Sequence, residues 1–356
     1  MRVGIIVGLL MALVASSASA ATGSQPNGEA DGARSNTAAK LTVLFDAIGN
    51  RADLRKDWGY AALVEVGGRR ILFDTGNDAA VLAHNTKALG VDLGKLDFVV
   101  ISHRHGDHTT GLSHVLSVNP GVKIYAPEEK FGVFGSSLPA TFLRPEPRLP
   151  KDSQYFGGTP PERMTFGKAW PEANITLIDK TTEIAPGVHL ISLVSDKPGT
   201  LELRELSLAI ETPDGIVLVV GCSHPGIDRI VEVAKTINPK IHLIAGGLHL
   251  VTSSDAEIAS QVAALNDKFH VAWIAAGHCT GEPAFMALMD RFGDRNIYAG
   301  VGATIGLGSN PRAEGLSTVR HAMATGELQT YRQAMRDNLI RFGRRPSADV
   351  HNGSGQ

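Results

Sequence analysis

His103-Arg104-His105-Gly106-Asp107-His108 is the stretch from which the rest of the chain is best read. Four potential metal ligands occupy six positions, directly after a short apolar run, Phe98 to Ser102, of the kind a sheet buries on both faces. Imidazole nitrogens and a carboxylate are the usual donors for zinc and, depending on geometry, for iron or manganese. His103 and His105 can reach one ion from an extended turn. Asp107 and His108, opening the next helix, can reach a second ion beside it. Adjacent buried imidazoles without a cation would leave polar groups unsatisfied, so a bare polar loop is the weaker reading.

Two more histidines share that strand-to-turn setting. His224 follows the apolar run Ile216 to Val220 through Gly221-Cys222-Ser223, and His278 follows Val271 to Ala275 through Ala276-Gly277. Both are expected to complete the ligand shell. His249, in Gly246-Gly247-Leu248-His249 after Ala245, is expected to support a ligand or touch substrate, and with Asp107 it is the candidate catalytic group. Asp74, in Phe73-Asp74-Thr75-Gly76, ends another apolar strand. Its carboxylate could accept the free N–H of a ligating imidazole and fix the tautomer; the alternative is an ordinary turn aspartate. Cys222 and Cys279 are the only cysteines, and each lies one or two residues from a histidine. The pair reads either as a structural staple or as a feature of the metal site, with Cys222 a ligand or a ligand's neighbour.

Around these motifs the chain has the texture of a soluble globular protein: 356 residues, 43% hydrophobic, 20% charged, net charge −2. That balance gives no electrostatic grip on nucleic acid or acidic membranes, so a small-molecule substrate is the expected partner. Arg2, the apolar run Val3 to Val14 and Ala18-Ser19-Ala20 have the layout of a secretory signal peptide cleaved after Ala20. The run is too short to span a bilayer, so a periplasmic or secreted protein is expected. Residues 21–39 read as a flexible linker and 40–310 as the folded domain. Half of the 18 prolines fall between Pro127 and Pro186, which predicts a long, mostly irregular insertion over 126–187. Residues 311–356 read as peripheral, with one helix over Leu328 to Arg341. Strands dominate early and alternate with helices late, the pattern of a layered α/β domain.

The motifs together resemble the metallo-β-lactamase superfamily. Its H-x-H-x-D-H reads here as His103, His105, Asp107, His108, and its D-T-G as Asp74, Thr75, Gly76. Gly221-Cys222-Ser223-His224-Pro225-Gly226, Gly246-Gly247-Leu248-His249-Leu250 and His278-Cys279-Thr280-Gly281 resemble one branch, named for 7,8-dihydropterin-6-methyl-4-(β-D-ribofuranosyl)aminobenzene-5′-phosphate synthase. The resemblance runs from about Leu41 to Leu307 and implies a four-layer αβ/βα sandwich with two divalent ions, zinc before manganese or iron, at the sheet edges. The chain departs from the pattern at three points. Cys222 stands where many members carry a bridging aspartate, no histidine fills an earlier ligand motif of hydrolytic relatives, and Arg204-Glu205 replaces an acidic pair.

The expected activity is metal-assisted hydrolysis of an ester, lactone, phosphoester or amide-type small molecule, in which two cations acidify a water into a nucleophile. A condensing, synthase-like enzyme and a non-catalytic metal binder are the alternatives. Arg144, Arg148 and Arg163, within the proline-rich stretch, are candidate clamps for an anionic substrate.

Overall fold

Side-chain alternation along the strands explains why this chain builds four layers. The computed structural model describes residues 39–130 and 133–314. The predicted leader, nearly all of the linker and the helix expected over Leu328 to Arg341 lie outside the described residues. Along the chain come β1 (Lys40–Phe45), β2 (Ala61–Val66), β3 (Arg69–Phe73), α1 (Ala79–Ala88), β4 (Phe98–Val100), α2 (Gly106–Thr109), α3 (Leu112–Val118) and β5 (Lys123–Pro127). A two-stranded ribbon, β6 (Phe134–Pro139) and β7 (Arg163–Lys168), precedes β8 (Asn174–Ile178), β9 (Thr182–Ala185), β10 (Val188–Val194), β11 (Arg204–Thr212) and β12 (Gly215–Val220). Then α4 (Ile227–Ile237), β13 (Ile241–Gly247), α5 (Asp255–Ala263), β14 (Trp273–Gly277), α6 (Glu282–Phe292) and β15 (Thr304–Gly306) follow.

One sheet has the order β15-β1-β2-β3-β4-β5-β8 and the other β14-β13-β12-β11-β10-β9. In the first, Ala62, Val64, Ile71 and Phe73 point into the space between the sheets, where they meet Val217, Val219, Leu208 and Leu243 of the second. The intervening residues Ala61, Leu63 and Leu72 face outward beneath Leu82 of α1 and Leu112 and Val115 of α3. On the second sheet Ile216, Leu218 and Val220 face outward against α4, α5 and α6. Both sheets are therefore buried on both faces. Burial decides the helix positions: Asp78 caps α1 through the N–H groups of Ala80 and Val81, worth about 1 kcal/mol, whereas burying Leu82 alone contributes about 1.5–3 kcal/mol.

The stretch 126–187 is more regular than its prolines predict. Its end supplies β8 and β9, which pair with β5 and β10 in the two main sheets, and its middle supplies the β6–β7 ribbon. Both β8 and β9 lie at sheet edges, where a strand needs no long apolar run, so Asn174–Ile178 and Thr182–Ala185 lack the pattern that marks the interior strands. Three-residue β15, which pairs with β1, escapes a periodicity argument for the same want of length. Asn296 makes only a single bridge to Ile274. Among the described residues no helix is long and apolar enough to cross a membrane.

The strands β3, β4 and β5 run parallel, as do β12, β13 and β14. The turns after β3, β4, β12, β13 and β14 therefore leave by the carboxyl ends of parallel strands, the place where open α/β sheets collect their ligands.

Candidate metal centre

Those turns carry Asp74, His103 to His108, Cys222 to His224, His249 and His278. Four of these residues hold left-handed backbone without being glycine: Asp74 (φ 58°), Ser223 (64°), His249 (51°) and His278 (47°). Each such residue costs on the order of 1–3 kcal/mol, and the packed sheets behind them hold them there.

The ligating atoms fall into overlapping groups, each within 4.8 Å: His103, His105 and His224; Asp107, His108 and His278; and His103, His108 and Cys222. His103 Nε2 lies 3.0 Å from His105 Nδ1, and His108 Nε2 lies 3.2 Å from His278 Nε2. Two nitrogens bound tetrahedrally to zinc at roughly 2.0–2.1 Å stand about 3.3 Å apart, so both pairs are spaced as shared ligands. Cys222 Sγ is 3.2 Å from His108 Nε2 and lies between the two sets. All six expected ligands are thus brought together. His249 joins them at the side, its ring 4.2 Å from that of His224 and its ligating nitrogen grouped with Cys222 and His224.

Asp74 orients a ligand in each set. Its Oδ2 is 2.7 Å from His108 Nδ1 and accepts a 2.7 Å bond from Ser102 Oγ, while Oδ1 accepts from the Ser102 N–H. Ser102 Oγ also lies 2.8 Å from His103 Nδ1. The hydroxyl has one proton and gives it to the carboxylate, so His103 Nδ1–H must be the donor in that contact. Directly or through one hydroxyl, a single carboxylate therefore holds Nδ1 of both rings and turns Nε2 of His103 and His108 toward the site. Gly221 makes this approach possible, because a Cβ there would sit 2.3 Å from Ser102 Oγ.

A divalent cation fits this donor set. Both ring nitrogens of His224 are buried without a hydrogen-bond partner, as is Nδ1 of His249. Leaving such groups unmatched costs about 1–3 kcal/mol each, a cost that cation binding would remove at one His224 nitrogen.

A family model for the β-lactamase superfamily domain matches residues 69–178. The chain is 30% identical to the 7,8-dihydropterin-6-methyl-4-(β-D-ribofuranosyl)-aminobenzene-5′-phosphate synthase of Methanocaldococcus jannaschii, over 73% of this chain and 94% of that one. The chain belongs to the metallo-β-lactamase superfamily. Within it, the chain is also 27% identical to an uncharacterised protein of the same archaeon, over 70% of this chain and 93% of that one. Among solved structures it resembles a metal-dependent hydrolase of the superfamily, with 27% identity, a TM-score of 0.54, and coverage of 74% of this chain and 97% of that one.

Two carboxylates, Asp46 and the Glu205 of Arg204-Glu205, act in roles the sequence reading did not assign. Asp46 is fully buried and its Oδ2 accepts the His278 N–H at 2.9 Å. The pair Phe45-Asp46, at the end of an apolar strand, repeats Phe73-Asp74 and is the signal that could have found it. Glu205 accepts the N–H groups of Cys222 (3.0 Å), Ser223 (2.7 Å) and His224 (2.8 Å), and so clamps the whole turn. No local pattern announces this role of Glu205, since its partners are backbone groups 17 to 19 residues away. The arginine beside the cluster is Arg104, held at 2.7 Å by buried Glu129. Of the expected clamps, Arg148 pairs with Glu146, and Arg144 and Arg163 are exposed on the excursion.

Electrostatics divide the site. Burial pushes Asp46 up to about 8, and pushes Glu205 up to about 7 despite its three N–H donors. Burial, aided by His249 and His105, drives His224 down to about 2, and burial takes His103 well below the ordinary imidazole range. Burial also works against a charged His108, yet Asp74 overrides it and lifts the group to about 9. Asp107 is opposed by burial too, but His108, His278 and His105 hold it below the usual carboxylate range.

Proposed function

We propose that this protein is a metal-dependent hydrolase that holds two divalent cations, zinc before manganese or iron. His103, His105 and His224 would hold one ion, Asp107, His108 and His278 the other, with Cys222 between them. Two such cations supply acidification of water toward neutral pH and polarisation of a carbonyl or phosphoryl oxygen. The carrying observation is that Asp107 stays 17% exposed while the imidazoles beside it are fully buried. An ionised carboxylate at the open side can accept a proton from an attacking water and aim it. His249, half-buried beside His224, would touch the leaving group. Trp58, half-buried, packs its ring 5.1 Å from that of His278. We assign the protein to the periplasm or exterior after removal of residues 1–20; fractionation of expressing cells and N-terminal sequencing check this.

The test is a panel of chromogenic esters, lactones, phosphodiesters and β-lactams. Turnover should vanish in chelator, return with zinc or manganese, and vanish again in Asp107→Ala. A second reading, a condensing enzyme, is favoured by the 30% identity to a synthase matched over 94% of its length. It would leave the panel blank and require two substrates. Protein that binds metal and turns over nothing in either assay would overturn both readings.

A further inference from the structure

We propose that Cys222 and Cys279 are an oxidisable pair whose disulfide excludes cations from the metal centre, so that the cross-linked and metal-loaded forms are alternatives. The proposal rests on the metal-centre reading above. Both cysteines are free thiols, 3% and 2% exposed. They lie on the turns after β12 and β14, on either side of β13. Their Sγ atoms and a ring nitrogen of His278 all fall within 4.8 Å of one another, and Cys279 Sγ donates to the Cys222 carbonyl at 3.7 Å. Between the turns sits Gly247, where a Cβ would stand 2.7 Å from Cys279 Sγ. Only glycine leaves room for that sulfur. Since a disulfide bond is about 2.05 Å long, the sulfurs need close by less than roughly 3 Å.

The sulfur of Cys222 faces two claims. It is 3.2 Å from His108 Nε2 and groups with His103 and His108, and it also lies beside Cys279. Only a thiolate is a good ligand, so a sulfur committed to a disulfide is lost to the cations. A bound cation conversely occupies the thiolate that oxidation would consume.

The oxidant is a hydroperoxide. One sulfur, as thiolate, attacks a peroxide oxygen; the O–O bond breaks, the leaving alkoxide or hydroxide takes up a proton, and the sulfur becomes S–OH. The second sulfur attacks the first, the S–S bond forms, and the hydroxyl leaves as water with the second thiol's proton. Two sulfurs give up two electrons, and the peroxide bond accepts them. The neighbouring thiol intercepts the S–OH before further oxygen can add.

The experiment treats metal-stripped and zinc-loaded full chain with hydrogen peroxide, then reads intact mass, peptide cross-links and zinc affinity by chelator competition. Stripped protein should lose the mass of two hydrogens, yield a peptide cross-linked between 222 and 279, and bind zinc roughly tenfold or more weakly until dithiothreitol restores it. Zinc-loaded protein should resist the cross-link. Cys279→Ser should gain oxygen at Cys222 instead and never cross-link. Oxygen uptake by the wild type without a cross-link, or a cross-linked form that binds zinc as tightly as the reduced one, would overturn the proposal; neither readout depends on the variant's folding. Reduced protein that binds no zinc would sink the parent reading and the exclusion together, and is distinguished because the cross-link is read by mass alone.

Discussion

The two halves of the proposed metal centre are built on different principles. Around Asp107, His108 and His278 the supports are carboxyl groups: Asp74 meets His108 Nδ1 directly, Asp46 holds the His278 N–H, and Asp107, held below the usual carboxylate range, adds a negative charge. Around His103, His105 and His224 the proposed ligands are neutral imidazoles, reached by Asp74 only through the Ser102 hydroxyl. His224 is positioned through its backbone by Glu205, and neither ring nitrogen has a partner. Negative charge near a cation raises both affinity and ligand basicity. The Asp107 half should therefore fill first and empty last.

Asp107→Ala breaks the contrast hardest. It should lower turnover by about 10²–10⁴-fold and reduce the tightly held zinc from two ions to one, measured by steady-state kinetics and elemental analysis. Asp74→Asn should weaken zinc binding by about 10–100-fold in both steps of a calorimetric titration, because both rings lose their anchor. Ser102→Ala sharpens the comparison. It should weaken only the second, looser step, by about tenfold or less, and equal weakening of both steps would refute the assigned relay.

The smallest effect concerns acid. His224 has a folded value of about 2 against about 6.5 unfolded. Its contribution to stability in stripped protein is therefore complete above pH 6.5 and falls as pH drops toward 2, by at most about 1.4 kcal/mol per pH unit. His224→Gln should flatten that loss, seen as a smaller fall in Tm between pH 7 and pH 5. His108 runs the other way: Asp74 lifts it to about 9, so its contribution is full below 6.5 and fades as pH rises through 9. The same substitution should leave that alkaline limb unchanged.

What could be read beforehand follows from where the information is stored. Runs such as Ile216 to Val220 advertise a strand buried on both faces, and the dense set from His103 to His108 advertises cations, because both signals are local. His224 and His278 were legible because each ends such a strand. The role of Glu205 was not, because it works through three distant N–H groups inside a strand that otherwise looks ordinary. Asp46 hid as a lone turn acid until its carboxylate met the His278 backbone. The edge strands at Asn174–Ile178 and Thr182–Ala185 were masked by the prolines around them, since an edge position makes few demands on hydrophobicity.

The left-handed turns at Asp74, Ser223, His249 and His278 carry one more consequence. Glycine would relax the backbone at each of them, yet at Asp74, His249 and His278 glycine would delete the side chain that the site needs. Engineering for heat tolerance by relieving these turns should give sturdier but inert proteins. The fold thus keeps its tension where its chemistry is, and a hardier variant must gain its stability elsewhere.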